Sequence, residues 1–309
     1  MLHLRNLVYP LSPATFILFS FLSMFSIGQV AAQGTVEIAN NGLVGWYSDI
    51  AQISTGDTII ATYNATLGAV QIFECNDATC TNPTISTLNS GSGDVGRSIR
   101  LLLDASDNIF LLYHDNAAGN LLLTACGTTC NDANDTAVVA GNGSDVGWHV
   151  DAALNSSTAH IVYRDDTNTE SSWSVQHTTC DLNALTCASA QPVATVGSSG
   201  GFPAVALDSS GLPLIAYRDA NGVNYVRCTD ATCSSNTPLS ITGFTLSPDH
   251  HEGYFSQAFS DGVNITFVSY GTRMSASTPN DIIRIVRCDV ICTSAATNII
   301  SVDTAGLFL

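Results

Sequence analysis

The sequence contains no lysine, and all nine of its basic residues are arginine. They are set against 26 acidic residues, so the formal net charge is −17. A surface this acidic repels phosphate backbones and anionic lipid head groups. The composition therefore argues against nucleic acids and membrane surfaces as partners of the folded protein.

The sequence also lacks sustained helical periodicity after about residue 32. Its apolar residues fall instead in short alternating or continuous runs, separated by clusters of Gly, Asp, Asn and Ser. Such runs are typical of β-strands joined by tight turns. The pattern predicts an all-β protein.

Only one long apolar run is present, Phe16–Val30, preceded by Arg5 and followed by the small residues Ala31 and Ala32. This order predicts a secretory signal peptide over residues 1–32, with a single domain over 33–309. An uncleaved membrane anchor is the alternative, because Ala14–Ala32 is nearly long enough to cross a bilayer. We favour cleavage, since no basic residue flanks the far side. After cleavage we expect a secreted, extracellular protein (periplasmic in a bacterium) with no membrane attachment.

Five Asn-X-Ser/Thr sequons are present, and in a eukaryotic host some of them are expected to carry glycan. They begin at Asn64, Asn134, Asn142, Asn155 and Asn264.

The ten cysteines form five close pairs, each between two strand-like segments. In an exported chain, such spacing predicts a disulfide at the neck of a hairpin. A zinc site is disfavoured because neither CxxC spacing nor a set of histidine partners is present. We therefore expect no metal and no cofactor. The predicted bridges are Cys75–Cys80, Cys126–Cys130, Cys180–Cys187, Cys228–Cys233 and Cys288–Cys292.

The first cysteines of successive pairs lie 51, 54, 48 and 60 residues apart. Each repeat contains four strand candidates, and four antiparallel strands repeated at this period are typical of propeller blades. The sequence thus predicts a five-bladed β-propeller with one hairpin disulfide per blade. The repeats run over about 46–95, 96–146, 147–200, 201–252 and 253–309.

The sequence does not decide how the ring of blades closes. Residues 35–44 resemble the fourth strand of a repeat and are predicted to act as a closing outer strand. However, the fifth repeat has its own fourth strand, and Asp303–Leu309 resembles the opening of a further repeat. A shortened relative of a six-bladed propeller is therefore the alternative.

Propeller topology assigns the loops to two faces. The turns between strands three and four carry the cysteines, while the blade entries and the turns between strands two and three lie on the opposite face. This second face collects aromatic, basic and acidic residues suited to stacking and hydrogen bonding with sugars. The alternative is structural, with Arg–Asp pairs satisfying each other and aromatic rings packing between blades. The candidate ligand-binding residues are Trp46, Tyr47, Arg97, Arg100, Trp148, His149, Arg164, Asp165, Arg218, Asp219 and Tyr254.

An enzyme would need carboxylates near the propeller axis, at roughly 5–10 Å separation for glycoside hydrolysis. The candidates are Asp49 and Asp151, from repeats one and three, and Glu252, at the entry to repeat five.

Two segments, Ala206–Tyr217 and Leu103–Tyr113, resemble a repeat found in secreted sialidase-like, BNR-type propeller proteins. The resemblance implies a propeller fold. Sialidases also use an Asp box of the form SxDxGxTW, which this sequence lacks, and an arginine triad, to which no three arginines here can be assigned. The sequence therefore predicts a secreted propeller that binds glycan or another extracellular ligand at its axial mouth. A sialidase-like glycoside hydrolase is the alternative, and a purely structural extracellular protein is a third.

Overall fold

A computed structural model describes one compact unit within Glu37–Leu309. The described residues are 38, 42–77, 79–88, 93–130, 134–141, 145–198, 200–239, 250–261, 264–273, 280–289 and 295–301, without the side chains of 250–255, 272, 273, 280–282 and 295–301. The predicted signal peptide and most of the predicted closing strand at 35–44 lie outside them. No helix in this part of the chain is long and apolar enough to cross a membrane.

The described residues are almost entirely β-structure, arranged as five antiparallel sheets that follow one another along the chain. Blade 1 contains β1 (Val44–Gln52), β2 (Thr58–Asn64), β3 (Ala69–Cys75) and β4 (Thr84–Leu88). Blade 2 contains β5 (Val95–Leu103), β6 (Ile109–Asp115), β7 (Asn120–Gly127) and β8 (Asp135–Ala140). Blade 3 contains β9 (Val146–Asn155), β10 (Thr158–Asp165), β11 (Ser174–Asp181), β12 (Thr186–Cys187) and β13 (Gln191–Thr195), with one 3-10 turn at Glu170–Ser172. Blade 4 contains β14 (Gly201–Leu207), β15 (Pro213–Asp219), β16 (Gly222–Cys228) and β17 (Asn236–Pro238). Blade 5 contains β18 (His250–Ser260), β19 (Asn264–Arg273), β20 (Asn280–Asp289) and β21 (Ala295–Ser301).

Within each sheet the strands pair in chain order, so every blade is a four-stranded meander. In blade 3 the outer position is shared, because β12 and β13 both pair with β11. The predicted all-β, five-bladed propeller is confirmed.

Four of the predicted disulfides are present, one in each of blades 1 to 4. They join Cys75 to Cys80, Cys126 to Cys130, Cys180 to Cys187, and Cys228 to Cys233. Cys288 of blade 5 is also disulfide-bonded, whereas Cys292 lies outside the described residues. Each of the four bridges closes the connection that follows the third strand of its blade, on the face opposite the blade entries.

Four clusters of buried apolar side chains fill the spaces between consecutive blades. They join blade 1 to 2, 2 to 3, 3 to 4, and 4 to 5. Large residues such as Ile72, Leu111 and Ile161 are fully buried there. Burial of this apolar surface is the main force that holds the blades together.

The fifth seam, between blades 5 and 1, differs from the other four. Ile50 of β1 is 63% exposed, whereas the corresponding Leu101 and Val205 are 6% and 1% exposed. Phe259, on the side of blade 5 that faces this seam, is 55% exposed. Among the described residues, no buried cluster spans this seam. Closure by residues 35–44 therefore stays a prediction.

Candidate axial binding site

Blades 1 to 4 share an unusual backbone feature at their entry. The second residue after the entry glycine has a positive φ, between 49° and 53°, although it is never glycine or asparagine. These residues are Tyr47, Ser98, His149 and Phe202. A left-handed conformation is costly for a bulky side chain, and strain of this kind concentrates at functional sites. The same strained position recurs in four consecutive blades, and all four residues line one cavity.

These side chains line a cavity of about 530 Å³, to which all five blades contribute. Its size lies within the range of roughly 300–1,000 Å³ usual for small-molecule sites. The wall consists of Trp46, Tyr47, Ser48, Ser98, Ile99, His149, Val150, Phe202, Pro203, Ser256 and Gln257.

Aromatic rings occupy two sides of this cavity. Trp46 and Tyr47 are 62% and 37% exposed, so their faces are open to solvent. On the other side, the His149 and Phe202 rings pack together with their centroids 3.9 Å apart. The wall also contains the uncharged polar residues Ser48, Ser98, Ser256 and Gln257. The cavity therefore presents flat apolar surfaces beside uncharged hydrogen-bonding groups.

His149 is a neutral group in this wall. Burial, with a smaller effect of the nearby Arg164 guanidinium, lowers the pKa of His149 to about 3. Its imidazole therefore carries no charge at neutral pH, and each ring nitrogen acts only as a neutral donor or acceptor.

Next to the cavity lies a group of three charged side chains from three blades. Arg100 Nη1 is 3.2 Å from both carboxylate oxygens of Asp49, and Arg100 Nε is 2.6 Å from Oδ1 of Asp151. The second contact is an ion pair without hydrogen-bond alignment, because Arg100 Nε has no partner of good geometry. Arg100 Nη1 also donates to Gln257 Oε1 at 2.7 Å, which connects this group to the cavity wall.

The two aspartates also hold neighbouring blades together. Asp49 Oδ2 accepts the Leu101 N–H from blade 2 at 2.8 Å, and Asp151 Oδ2 accepts the Val205 N–H from blade 4 at 2.8 Å. Asp151 is almost completely buried. This burial raises the pKa of Asp151 to about 6, against the opposing effects of Arg100 and of two backbone N–H groups.

The sequence analysis selected Asp49, Asp151 and Glu252 as candidate catalytic acids. The structure brings Asp49 and Asp151 together on Arg100, which the sequence analysis had assigned to ligand binding. The side chain of Glu252 lies outside the described part of the chain, as does that of Tyr254.

Most of the other predicted ligand residues make contacts within the protein. Arg97 pairs with Asp94 at 3.2 Å and lies over the Tyr63 ring. Arg164 donates two bonds of 2.6 Å to Asp166 and lies over the Trp173 ring. Arg164 therefore pairs with Asp166 and not with the adjacent Asp165.

The acidic residues at the ends of the second strands form turns. Asp165 Oδ1 accepts the Thr167 N–H at 2.9 Å, and Asp219 Oδ1 accepts the Asn221 N–H at 2.7 Å. Asn64 caps the corresponding turn of blade 1 in the same way. These side chains replace backbone hydrogen-bond partners in tight turns, which is a common use of Asp and Asn. Arg218 is buried.

Trp148, another predicted ligand residue, packs between blades. Its ring lies 4.6 Å from that of the buried His114, and its Nε1 donates to Asp145 at 2.7 Å. It is not part of the cavity wall, whereas its neighbour His149 is.

Three of the predicted ligand residues, Trp46, Tyr47 and His149, thus lie in the cavity wall. The sequence-derived set of site residues did not contain Ser48, Ser98, Ser256 or Gln257. A signal for Ser98 exists in the sequence, because it stands two residues after an entry glycine, as do Tyr47, His149 and Phe202. Among the described residues, no group of three or more His, Cys, Asp or Glu is arranged to hold a metal ion.

No protein-family model matches this sequence, and no curated protein sequence matches it. Several solved structures share its fold. It is similar to an alpha-L-arabinanase of Penicillium chrysogenum complexed with arabinobiose, with 11% identity, a TM-score of 0.51 and coverage of 83% of this chain and 93% of that chain. It is also similar to the GH93 alpha-L-arabinofuranosidase of Fusarium graminearum with arabinobiose, with 12% identity, a TM-score of 0.52 and coverage of 76% and 74%.

At these identities the similarity extends to the fold alone. The resemblance noted in the sequence implied a propeller fold, and this is confirmed. The two structures named are an arabinanase and an arabinofuranosidase rather than sialidases, so the sialidase type stays a prediction.

Proposed function

We propose that this protein binds a carbohydrate in the axial cavity. The observation that carries the proposal is the composition of the cavity wall, which combines aromatic residues with uncharged serine and glutamine residues. Sugar rings combine apolar C–H faces with hydroxyl groups, so they match such a wall on both counts. Solved structures with the same fold include two complexes with arabinobiose, which agrees with this proposal.

The disulfides support an exported protein, because such bridges persist in oxidising compartments. A glycan outside the cytoplasm is therefore the expected ligand.

Binding to a glycan array, followed by titration with the best ligand, tests the proposal. Trp46→Ala should weaken binding by about tenfold or more, because it removes an exposed aromatic face from the cavity. Val138→Ala provides the control, since Val138 is 57% exposed on the outer strand β8, away from the cavity. Equal affinities of the two variants would contradict the proposed site.

A second candidate is glycoside hydrolysis. It is favoured by the named activities of the two structures with the same fold and by the convergence of two carboxylates beside the cavity. In this hypothesis Asp151, with its raised pKa, donates a proton to the glycosidic oxygen, and Asp49 or Glu252 acts as the second carboxylate.

Carbohydrate binding remains the first candidate for two reasons. Arg100 contacts both aspartates at once. Neither aspartate is among the residues that line the cavity. Release of reducing sugar from oligosaccharides tests the hydrolase hypothesis. Activity should disappear in Asp151→Asn and Asp49→Asn, while ligand binding is retained. Full activity after substitution of Asp49, Asp151 and Glu252 together would exclude this mechanism.

A further inference from the structure

Several of the described arginines form ion pairs with acidic residues of the protein itself. Arg97 pairs with Asp94, Arg164 with Asp166, and Arg287 with Asp261. Arg227 forms an ion pair with the buried Asp208. A guanidinium held in this way has fewer donors left for the carboxylate of a ligand.

Arg100 donates a hydrogen bond to Gln257 of the cavity wall, but its positive charge is more than balanced. Two carboxylates, from Asp49 and Asp151, contact its guanidinium. The three side chains together carry a net charge of −1 when both acids are ionised. An anionic ligand in the cavity would therefore meet a neighbouring group of its own sign.

The cavity wall itself carries no charge among the described residues. Its only titratable side chains are Tyr47 and His149, and the pKa of His149 is lowered to about 3. The charge of the whole chain, −17, adds a long-range repulsion for anions.

We infer that the axial cavity selects neutral saccharides and rejects sugars that carry a carboxylate, such as sialic acids and uronic acids. This inference rests on the proposed function of carbohydrate binding and specifies the class of ligand. Its physical basis is that burying a carboxylate is costly unless a cation compensates for its lost hydration, and the described residues of the wall include no cation.

The test uses pairs of related ligands in which one member is neutral and the other carries a carboxylate. The purified protein is titrated with disaccharides of galactose, glucose and mannose, with the corresponding uronates, and with lactose beside sialyllactose. In each pair that binds, the neutral member should bind at least about tenfold more tightly. High salt should reduce this difference, because it screens the repulsion.

A gain-of-function variant makes the test sharper. Ser48→Arg places a cation in the wall, with Ser48→Gln as an uncharged control of similar length. The arginine variant should bind the acidic member of a pair at least about tenfold more tightly than the control does.

The outcomes separate the inference from the proposed function. Tighter binding of the acidic sugars by the unmodified protein would overturn the inference and leave carbohydrate binding intact. Binding to no member of any pair would overturn both.

Discussion

Nε of Arg100 lies 2.6 Å from Oδ1 of Asp151, and the two residues come from the first strands of neighbouring blades. Asp151 is almost completely buried, and Arg100 is only 16% exposed. The same guanidinium contacts Asp49 of blade 1 and Gln257 of blade 5. One side chain thus connects four of the five blades close to the axis.

Removal of the Arg100 charge should destabilise the fold strongly. Arg100→Met leaves the Asp151 carboxylate buried without its cation, a change that typically costs about 3–5 kcal/mol. Urea unfolding measures the loss. Arg287→Met is the matched control, because the Arg287–Asp261 pair is about half exposed and such pairs contribute only about 0–1 kcal/mol. Similar losses in the two variants would show that Arg100 has no special role at the axis.

A buried histidine pair should make stability depend on pH. His177 Nδ1 lies 3.0 Å from the Thr232 carbonyl oxygen, and His177 Nε2 lies 3.3 Å from His160 Nδ1. A carbonyl oxygen can only accept, so Nδ1 of His177 carries the proton and its Nε2 accepts from His160. Burial lowers the pKa of His177 to about 4 and also lowers the pKa of His160.

Since the folded-state pKa of His177 lies below the ordinary 6.5, the unfolded chain binds more protons between these values. The contribution of His177 to the free energy of unfolding is therefore fully present above pH 6.5 and is lost as the pH falls toward 4. Asp151 has the opposite effect on stability. Its pKa is raised from the ordinary 3.8 to about 6, so its contribution to stability is lost as the pH rises through this range.

Comparison with His177→Gln separates the two effects, since both proteins contain Asp151. The free energy of unfolding of the unmodified protein should fall relative to the variant below pH 6.5, with a slope of up to about 1.4 kcal/mol per pH unit. A pH-independent difference between the two proteins would contradict this account.

Truncation of the side chain at the equivalent position in the first strands of blades 1 and 2 should reduce stability by different amounts. Leu101→Ala removes a buried side chain between blades 1 and 2 and should cost about 2–5 kcal/mol. Ile50→Ala, five residues after the entry glycine as Leu101 is, should cost about 0.5 kcal/mol or less, because Ile50 is 63% exposed. Thermal or chemical unfolding of both variants tests the difference. A large loss in Ile50→Ala would indicate that the seam between blades 5 and 1 is covered in solution.

Two glycines with positive φ should differ in their tolerance of alanine. Gly96 has φ of 114°, and a Cβ there would lie 2.8 Å from Cγ2 of Val70. Gly56 has φ of 95°, but a Cβ there meets no atom within 4 Å. Both substitutions should reduce stability by about 1–2 kcal/mol, because alanine disfavours the left-handed backbone conformation. Gly96→Ala should lose a further amount of about 1–3 kcal/mol, because its Cβ overlaps with Val70. Unfolding midpoints should therefore be lower for Gly96→Ala. If Gly56→Ala had the lower midpoint instead, the overlap at Gly96 would have to be relieved by a small shift between blades 1 and 2 that costs little.

The architecture followed from local signals in the sequence. Strand periodicity, turn residues and the recurring cysteine pairs each act over a few neighbouring residues, and their common period of about fifty residues predicted five blades. The disulfides of blades 1 to 4 were also predictable, because the two cysteines of each pair flank a single turn.

The site depended on contacts between residues far apart in the chain. The sequence placed Arg100 among the ligand residues and Asp49 and Asp151 among the acids, but their direct contact arises only when three blades meet at the axis. The same holds for Gln257, which is 157 residues from Arg100 and still accepts its hydrogen bond. Which aromatic residues face the cavity was likewise decided by the fold, because adjacent residues such as Trp148 and His149 point in different directions. Local patterns determined each blade, and the packing of blades around the axis determined which side chains are free to meet a ligand.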